Sequence, residues 1–495
     1  MQRTQLDPKH IVLFGLSLLI FQTSCGMADA PGPDRTSNDE PASEAVSSSD
    51  DTETRKTGLH WWKRDIDRQI RTRMKVHGVE KPEIDGPFDP DKVELGRKLF
   101  FDKILSGRKD VACATCHHTK PGAATGDGLS LGVGVGGTGK IPNRRTGHGL
   151  ETEPRHSIEI FNRGLKGWKT QFWDARVQLG PNGELITPPG DKMQSGLDGV
   201  LGAQAMLPVT SRVEMRGFPG DSNPISQIPD DQVNKIWSKL MDRLLALEGY
   251  RKLFKKAYPN KKLSELKFRD AANAIAEWEK DVYTLLDAPF DKYLKGDDSA
   301  LTRKQKEGAK LFYGKAGCAG CHSGTLTTDQ EFHNIAVPQI GPGKGSTQPL
   351  DPGRFIVTGR TDQLFEFRTP PLRNVELTPP YMHDGAYKTL EGAIEHHLNA
   401  PKALRSYDGS QLRPELRKEL HNSKSVQRRL LKHLDWRMRV RARIQQRRWH
   451  PLKITDRDVD RLVAFLKSMT SPSALTVLKN DLPKSVPSGL LEDGN

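Results

Sequence analysis

Cysteine is scarce in this 495-residue chain: there are five, and four of them sit in two short motifs, CATCH (Cys113–His117) and CAGCH (Cys318–His322). With four committed to these motifs, no disulfide framework and no zinc cluster is left to explain. Long apolar runs are missing too. The best candidate, Ile11–Phe21, is too short to span a bilayer comfortably. A formal net charge of +14 comes with no nucleic-acid-binding motif, so no nucleic-acid partner is expected. The Gly-rich run LSLGVGVGGTGKIPNRRTGHG (129–149) lacks the Lys-Ser/Thr pair and the preceding strand of a phosphate cradle, and reads as a long loop.

What is present is a pair of CxxCH motifs. Two thiols at this spacing add to the two vinyl groups of a porphyrin, and the histidine that follows lies where it can bind the iron. A lone CxxC reads equally as a redox dithiol or half a zinc site. A histidine directly after both copies points instead to two covalently bound haem c groups, on Cys113/Cys116 and Cys318/Cys321, with His117 and His322 as proximal ligands.

The fifth cysteine, Cys25, lies in an opening segment with a basic start (Arg3, Lys9, His10) followed by the short apolar run, so residues 1–30 read as an export signal. Ala28–Ala30 offers a cleavage site, although Pro31 follows it. Thr-Ser-Cys-Gly at 23–26 resembles a lipobox, which would end the signal at Cys25 and leave a lipid-tethered protein. Either way the expected location is the periplasm, and c-type attachment takes place outside the cytoplasm.

Residues 31–87 are expected to be a Ser-, Pro- and acid-rich disordered tether and a charged lead-in. Two haem domains follow, 88–286 and 287–487. Each places Gly-x-Lys-Leu-Phe (Gly96–Phe100, Gly308–Phe312) on a helix just before its haem motif, a repeat that predicts tandem, mainly α-helical cytochrome c domains with long loops. A helical stretch from about Asp231 to Leu286 connects them, and ITDRDVDRLVAFLKSM, capped by Thr455, closes the second. A basic insertion occupies about 406–449. It reads as a solvated basic helix or as a docking surface for an acidic partner or anionic lipid.

The stretches SGRKDVACATCHH, PRHSIEIFN, FWDAR, SRVEMRG, TDQEFHN and FRTPPLRNVELTPPYMHDGAYKTLEGAIEHH follow one another in order. With them the chain resembles the bacterial dihaem cytochrome c peroxidase family, including its MauG-like branch, from about Asp89 to Pro487. The resemblance implies reduction of hydrogen peroxide at the first haem, with Glu214 of the Val-Glu-Met motif as acid–base. Read alone, Glu214 would be an ion-pair partner of Arg212 or Arg216. His148, between Gly147 and Gly149, matches a loop histidine that caps the first iron until the other haem is reduced; MauG-like members leave that iron five-coordinate. The second haem would accept electrons from a small donor, a cytochrome c or a cupredoxin. Its sixth ligand falls at His397, fourteen residues after His383 and on a helical face with Leu390, Ala393, Ile394 and Leu398. Met382 and His396 are the alternatives. Trp173 of FWDAR would carry electrons between the haems, with Ala175 where the family has glycine. A calcium site would use the carbonyls of Thr378 and Pro380, but His156 stands where the family has asparagine and suits Ca²⁺ poorly. Family peroxidases are often homodimers. Two other functions stay open: MauG-like oxidation of a protein or organic substrate, and a dihaem electron carrier without catalysis.

Overall fold

The computed structural model describes residues 65–117 and 152–491, together with residues 122, 124, 126, 128–130, 132, 133, 135, 136, 145 and 146. The export signal, Cys25, the acidic tether and His148 lie outside the described residues. No helix among the described residues is long and apolar enough to cross a membrane.

The fold is mainly helical, and the repeated sequence grammar has a packing reason. In the first half the helix Pro90–Phe101, capped by Asp89, crosses the helix Phe268–Val282; in the second the helix Arg303–Phe312, capped by Thr302, crosses the helix Asp456–Lys467. Gly96 and Gly308 mark the crossings. A Cβ at Gly96 would stand 1.9 Å from the Ala274 carbonyl oxygen, and one at Gly308 would stand 1.9 Å from that of Arg461. Only glycine lets the backbones approach so closely. The stretch expected to connect the domains is thus part of the first core: Trp237, Tyr250, Phe254 and Trp278 are buried in it with Leu99 and Phe100.

Both chain ends depart from the expected domain order. Residues 65–76 are helical and bury Ile66, Ile70 and Met74 in the second core, beside Tyr293 and Phe312. Asp67 on that helix accepts hydrogen bonds from Tyr293 Oη at 2.9 Å and Lys306 Nζ at 2.7 Å. Conversely, the helix Pro472–Asn480 and Val486 near the other end pack into the first core. Each end closes the half that is distant in sequence, which composition alone does not reveal.

The strands are short. A three-stranded antiparallel sheet, Thr170–Gln171, Val177–Leu179 and Leu185–Ile186, presents the FWDAR segment in the turn between its first two strands. The basic insertion contains the helices Pro414–Lys418, Lys424–Lys432 and Trp436–Gln446. Its Leu430 and Leu434 are buried against Ala336, Leu350, Phe365 and Leu404, so it is docked rather than detached.

Gly96→Ala and Gly308→Ala should each destabilise the haem-loaded protein by about 1–3 kcal/mol or more, the cost of forcing a methyl into a filled crossing. Urea unfolding followed by far-ultraviolet circular dichroism measures this; unchanged midpoints would mean that the helices can part without cost.

Candidate active site

Two cavities meet at Trp173. The first encloses about 1120 Å³ and is lined by Cys113, Cys116 and His117 on one side and by Pro208, Glu214 and Met215 on another. The second encloses about 1740 Å³, with Cys318, Cys321 and His322 facing Leu390, Ile394 and His397. His156, Ser157, Ile158, Glu159 and Trp173 line both and form the wall between them. Each cavity is large, mostly apolar and furnished with two thiols and an imidazole, which fits a covalently held haem.

The wall is gripped from both halves. Trp173 Nε1 donates to the His156 carbonyl at 2.8 Å, and the Trp173 carbonyl accepts from the Arg368 amide at 2.8 Å. Arg354 donates to the carbonyls of Asp174 (2.7 Å) and Ala175 (2.9 Å). Ala175 sits at φ +47°, in the left-handed region, so glycine would suit this turn and alanine carries strain there. Beneath the turn, Arg155 bridges Asp174 and Asp351, each at 2.6 Å. All three are buried. Burial alone would raise the pKa of both carboxyls, but the Arg155 charge holds them below the usual range. On the other side of Trp173 lies His383, 6.4 Å away between ring centroids and stacked at 3.6 Å on Phe367.

Around the first cavity, Glu214 lies in a single π-type turn, Arg212–Arg216, with its amide capped by Ser211. Such turns recur at functional sites. The arginines beside it do not pair with it: Arg212 and Arg216 bind Asp230 at 2.6 and 2.8 Å. Glu214 instead lines the cavity, 3.9 Å from Arg176. Two further groups there escaped the sequence reading. Glu153 is buried, with its pKa raised to about 8 by burial and by the nearby charge of Glu214. Lys344 reaches the same cavity from the second half, its pKa lowered to about 8 by burial and by the neighbouring charges of Arg176 and Arg155. Glu153 stands two residues before Arg155 of a recognised motif, the only hint available; nothing in sequence brings Lys344 to the first haem.

In the second cavity the rings of His322 and His397 stand 6.4 Å apart, centroid to centroid, at 60°. With a metal–imidazole bond of about 2 Å and a centroid about 1 Å beyond the nitrogen, two imidazoles on one iron lie roughly 6 Å apart. The spacing fits one iron between them. Both rings donate from Nδ1 to a carbonyl, His322 to Thr327 at 3.2 Å and His397 to Ala393 at 2.8 Å, which leaves each Nε2 for a metal. Burial, and for His322 the neighbouring His397, lowers both pKa values, that of His322 to about 4, so each ring is neutral. His396 is otherwise engaged, with Tyr387 Oη at 2.8 Å and the Ile335 carbonyl at 2.7 Å. Met382 lines the same cavity.

His156 uses Nδ1 on the Gly128 carbonyl at 2.8 Å and offers a buried Nε2, whereas calcium takes oxygen. Thr378 and Pro380 line the second cavity with it. Cys321, Asp329 and His333 also cluster within metal-binding distance. The Cys321 sulfur is consumed by haem attachment, so this too is not a separate metal site.

Residues 90–299 match the di-haem cytochrome c peroxidase family. The cytochrome c551 peroxidase of Pseudomonas aeruginosa is 33% identical over 315 residues, covering 63% of this chain and 73% of that protein. The chain belongs to the dihaem cytochrome c peroxidase family. The methylamine utilization protein MauG of Methylorubrum extorquens is 29% identical over 393 residues, covering 79% of this chain and 82% of its own length. Among solved structures, a MauG-like protein associated with microbial copper homeostasis aligns with a TM-score of 0.53 at 24% identity, over 80% of this chain and 95% of that one, a likeness of fold. Membership makes the chain an oxidoreductase carrying haem c, with peroxidase or MauG-like activity, and the tandem helical architecture is that of the family.

Replacing Arg155 with methionine would leave Asp351 buried without its cation and Asp174 with Arg176 alone, at 3.3 Å, at a cost of about 3–5 kcal/mol. Because both carboxyls have depressed pKa values, their contribution is present above about pH 4 and is lost as pH falls through the folded values. The variant should lose that acid-range slope in a series of unfolding curves between pH 7 and 3. A parallel slope would show that the pair is not the source.

Proposed function

We propose that this chain is a dihaem c-type peroxidase that reduces hydrogen peroxide to water at the first haem, with electrons accepted by the second. The observation that carries the reading is Glu214: it faces the cavity that holds CATCH, while the arginines beside it bind Asp230. Bound haem supplies the redox chemistry. Glu214 would take the proton from the near oxygen of hydrogen peroxide and return it to the leaving oxygen, with Arg176 holding developing negative charge. Glu153 is placed to keep a proton in the same cavity. Trp173, which lines both cavities, is the route we assign to electrons, and His148 the ligand that leaves the first iron on activation. His117 and His322 would hold the two irons, and His397 would hold the second iron together with His322. Export to the periplasm agrees with covalent haem attachment, and a lipid at Cys25 would tether the protein there.

A second reading is favoured by one observation. Two imidazoles, in place of imidazole and methionine, lower the potential of the second haem and make it a poorer acceptor from ordinary cytochrome donors. A MauG-like enzyme, which oxidises a protein or organic substrate at the expense of peroxide, would need no such donor.

Titration to the half-reduced state tests both. A high-spin signal on half-reduction, followed by peroxide turnover with a small cytochrome c or cupredoxin, supports the peroxidase. Peroxide-dependent oxidation of a partner without that donor supports the MauG-like enzyme, and two irons that stay low-spin and inert to peroxide leave an electron carrier. Glu214→Gln should slow the reaction with peroxide about a hundredfold or more, leaving the absorption spectrum of the resting enzyme intact. A loss below tenfold would remove Glu214 from the chemistry. His397→Ala should turn the second haem high-spin, and His397→Met should raise its potential; an unchanged low-spin spectrum in the alanine variant would point to Met382.

A further inference from the structure

The basic insertion is the one prominent sequence feature that the peroxidase reading leaves without a task. Between Ser406 and Trp449 there are thirteen Lys and Arg against four Asp and Glu, nine of the chain's net +14. The helix Trp436–Gln446 within it has two unlike faces. Arg437, Met438 and Arg441 line the cavity of the second haem, and Arg441 donates to the Lys315 carbonyl at 2.7 Å, three residues before Cys318. The other face, Trp436, Arg439, Val440, Arg443 and Arg447, follows helical spacing and is exposed, Trp436 at 65% and Val440 at 45%.

This helix is fixed to the haem site. Asp435 caps its start through the Arg437 amide at 2.7 Å and binds His333 at 2.9 Å, while the other nitrogen of His333 meets Asp329 at 3.1 Å. Burial opposes a charge on His333, while the carboxylates of Asp329 and Asp435 raise its pKa. The inner face packs against the helix Leu390–Leu398, which carries His397. Helix axes in contact lie about 8–10 Å apart, so a protein on the outer face is one helix away from the second haem's ligand.

We propose that the outer face of the helix Trp436–Gln446 docks an acidic, one-electron redox protein that reduces the second haem. The proposal rests on the reading that electrons come in at that haem. In the step, one electron leaves the reduced centre of the partner, which is oxidised by one unit, and the ferric iron of the second haem becomes ferrous; no proton or bond moves. An exposed tryptophan on the same helical face as Arg439, Arg443 and Arg447 suits an interface: the ring buries apolar area, and the cations steer an oppositely charged partner and fix its orientation. A basic donor would be repelled. Anionic lipid, which the charge would also attract, does not account for the link to the haem cavity.

The test is stopped-flow reduction of the ferric haem-loaded full chain by an acidic cytochrome c and by a basic one of similar potential, at rising salt. The expected result is faster reduction by the acidic donor, with a rate constant that falls tenfold or more as salt screens the attraction. Arg443→Glu with Arg447→Glu should cut that rate at least tenfold at low salt and remove most of its salt dependence; the Gln pair should give a smaller loss. Trp436→Ala should slow the acidic donor without changing the salt slope. Reduction by hydroquinone, small and neutral, should be the same in all variants, which checks that they fold. Equal rates with either donor, no salt dependence, or no response to the charge reversal would overturn the proposal, as would binding to anionic vesicles that alone depends on Arg443 and Arg447. If hydroquinone reduces the first haem before the second, the electron-acceptor reading fails instead, whatever the docking result.

Discussion

The structure depends on a charge placed where charge is expensive. Arg155 lies buried between Asp174 of the first half and Asp351 of the second, and this pairing sits directly under the turn that carries Trp173. An isolated ion here would be intolerable; three together, with matched geometry, are not. Because the partners come from opposite halves, the clamp exists only when the halves are assembled, and it fixes the thin wall between the cavities. Arg354 and Arg368 extend the grip by holding the carbonyls of the same turn.

That wall explains how two similar domains can do different work. The cavities share residues 156–159 and Trp173, yet the rest of their linings diverge. The first is lined in part by Glu214, Glu153, Arg176 and Lys344. The second is closed by His397 opposite His322, on a helix packed under the basic insertion. Ionisable groups gather in the first cavity and a pair of facing imidazoles in the second, the division on which the proposed function is built. The crossed chain ends reinforce this unity, since each half is completed by residues from the far end of the chain.

Much of this was legible. CxxCH and the histidine after it are local chemistry, so both attachment sites could be read directly, and the Gly-x-Lys-Leu-Phe repeat announced two copies of one helix crossing. The resemblance pointed to His397 and helical periodicity agreed, because a helix keeps i and i+7 on one face; the side chain does line the cavity of His322. Glu214 was legible only through resemblance: read alone, its arginine neighbours looked like its partners, and the structure gives them to Asp230. Ala175, where the family has glycine, proves to occupy a left-handed turn. Glu153, Lys344 and the Arg155 clamp were not legible, because each acts with groups far away in sequence.

The sequence by itself determined the covalent chemistry, the helical repeat and the excess of positive charge in one segment, because these follow from residue type and short-range spacing. Tertiary structure decided which carboxylates face the first cavity, which histidine stands opposite His322, that the chain's ends exchange halves and that the basic helix has an inner face on the second haem's cavity. Those outcomes depend on burial and on approach between distant segments, where the cost of an unpaired charge or an unfilled space selects one arrangement from many.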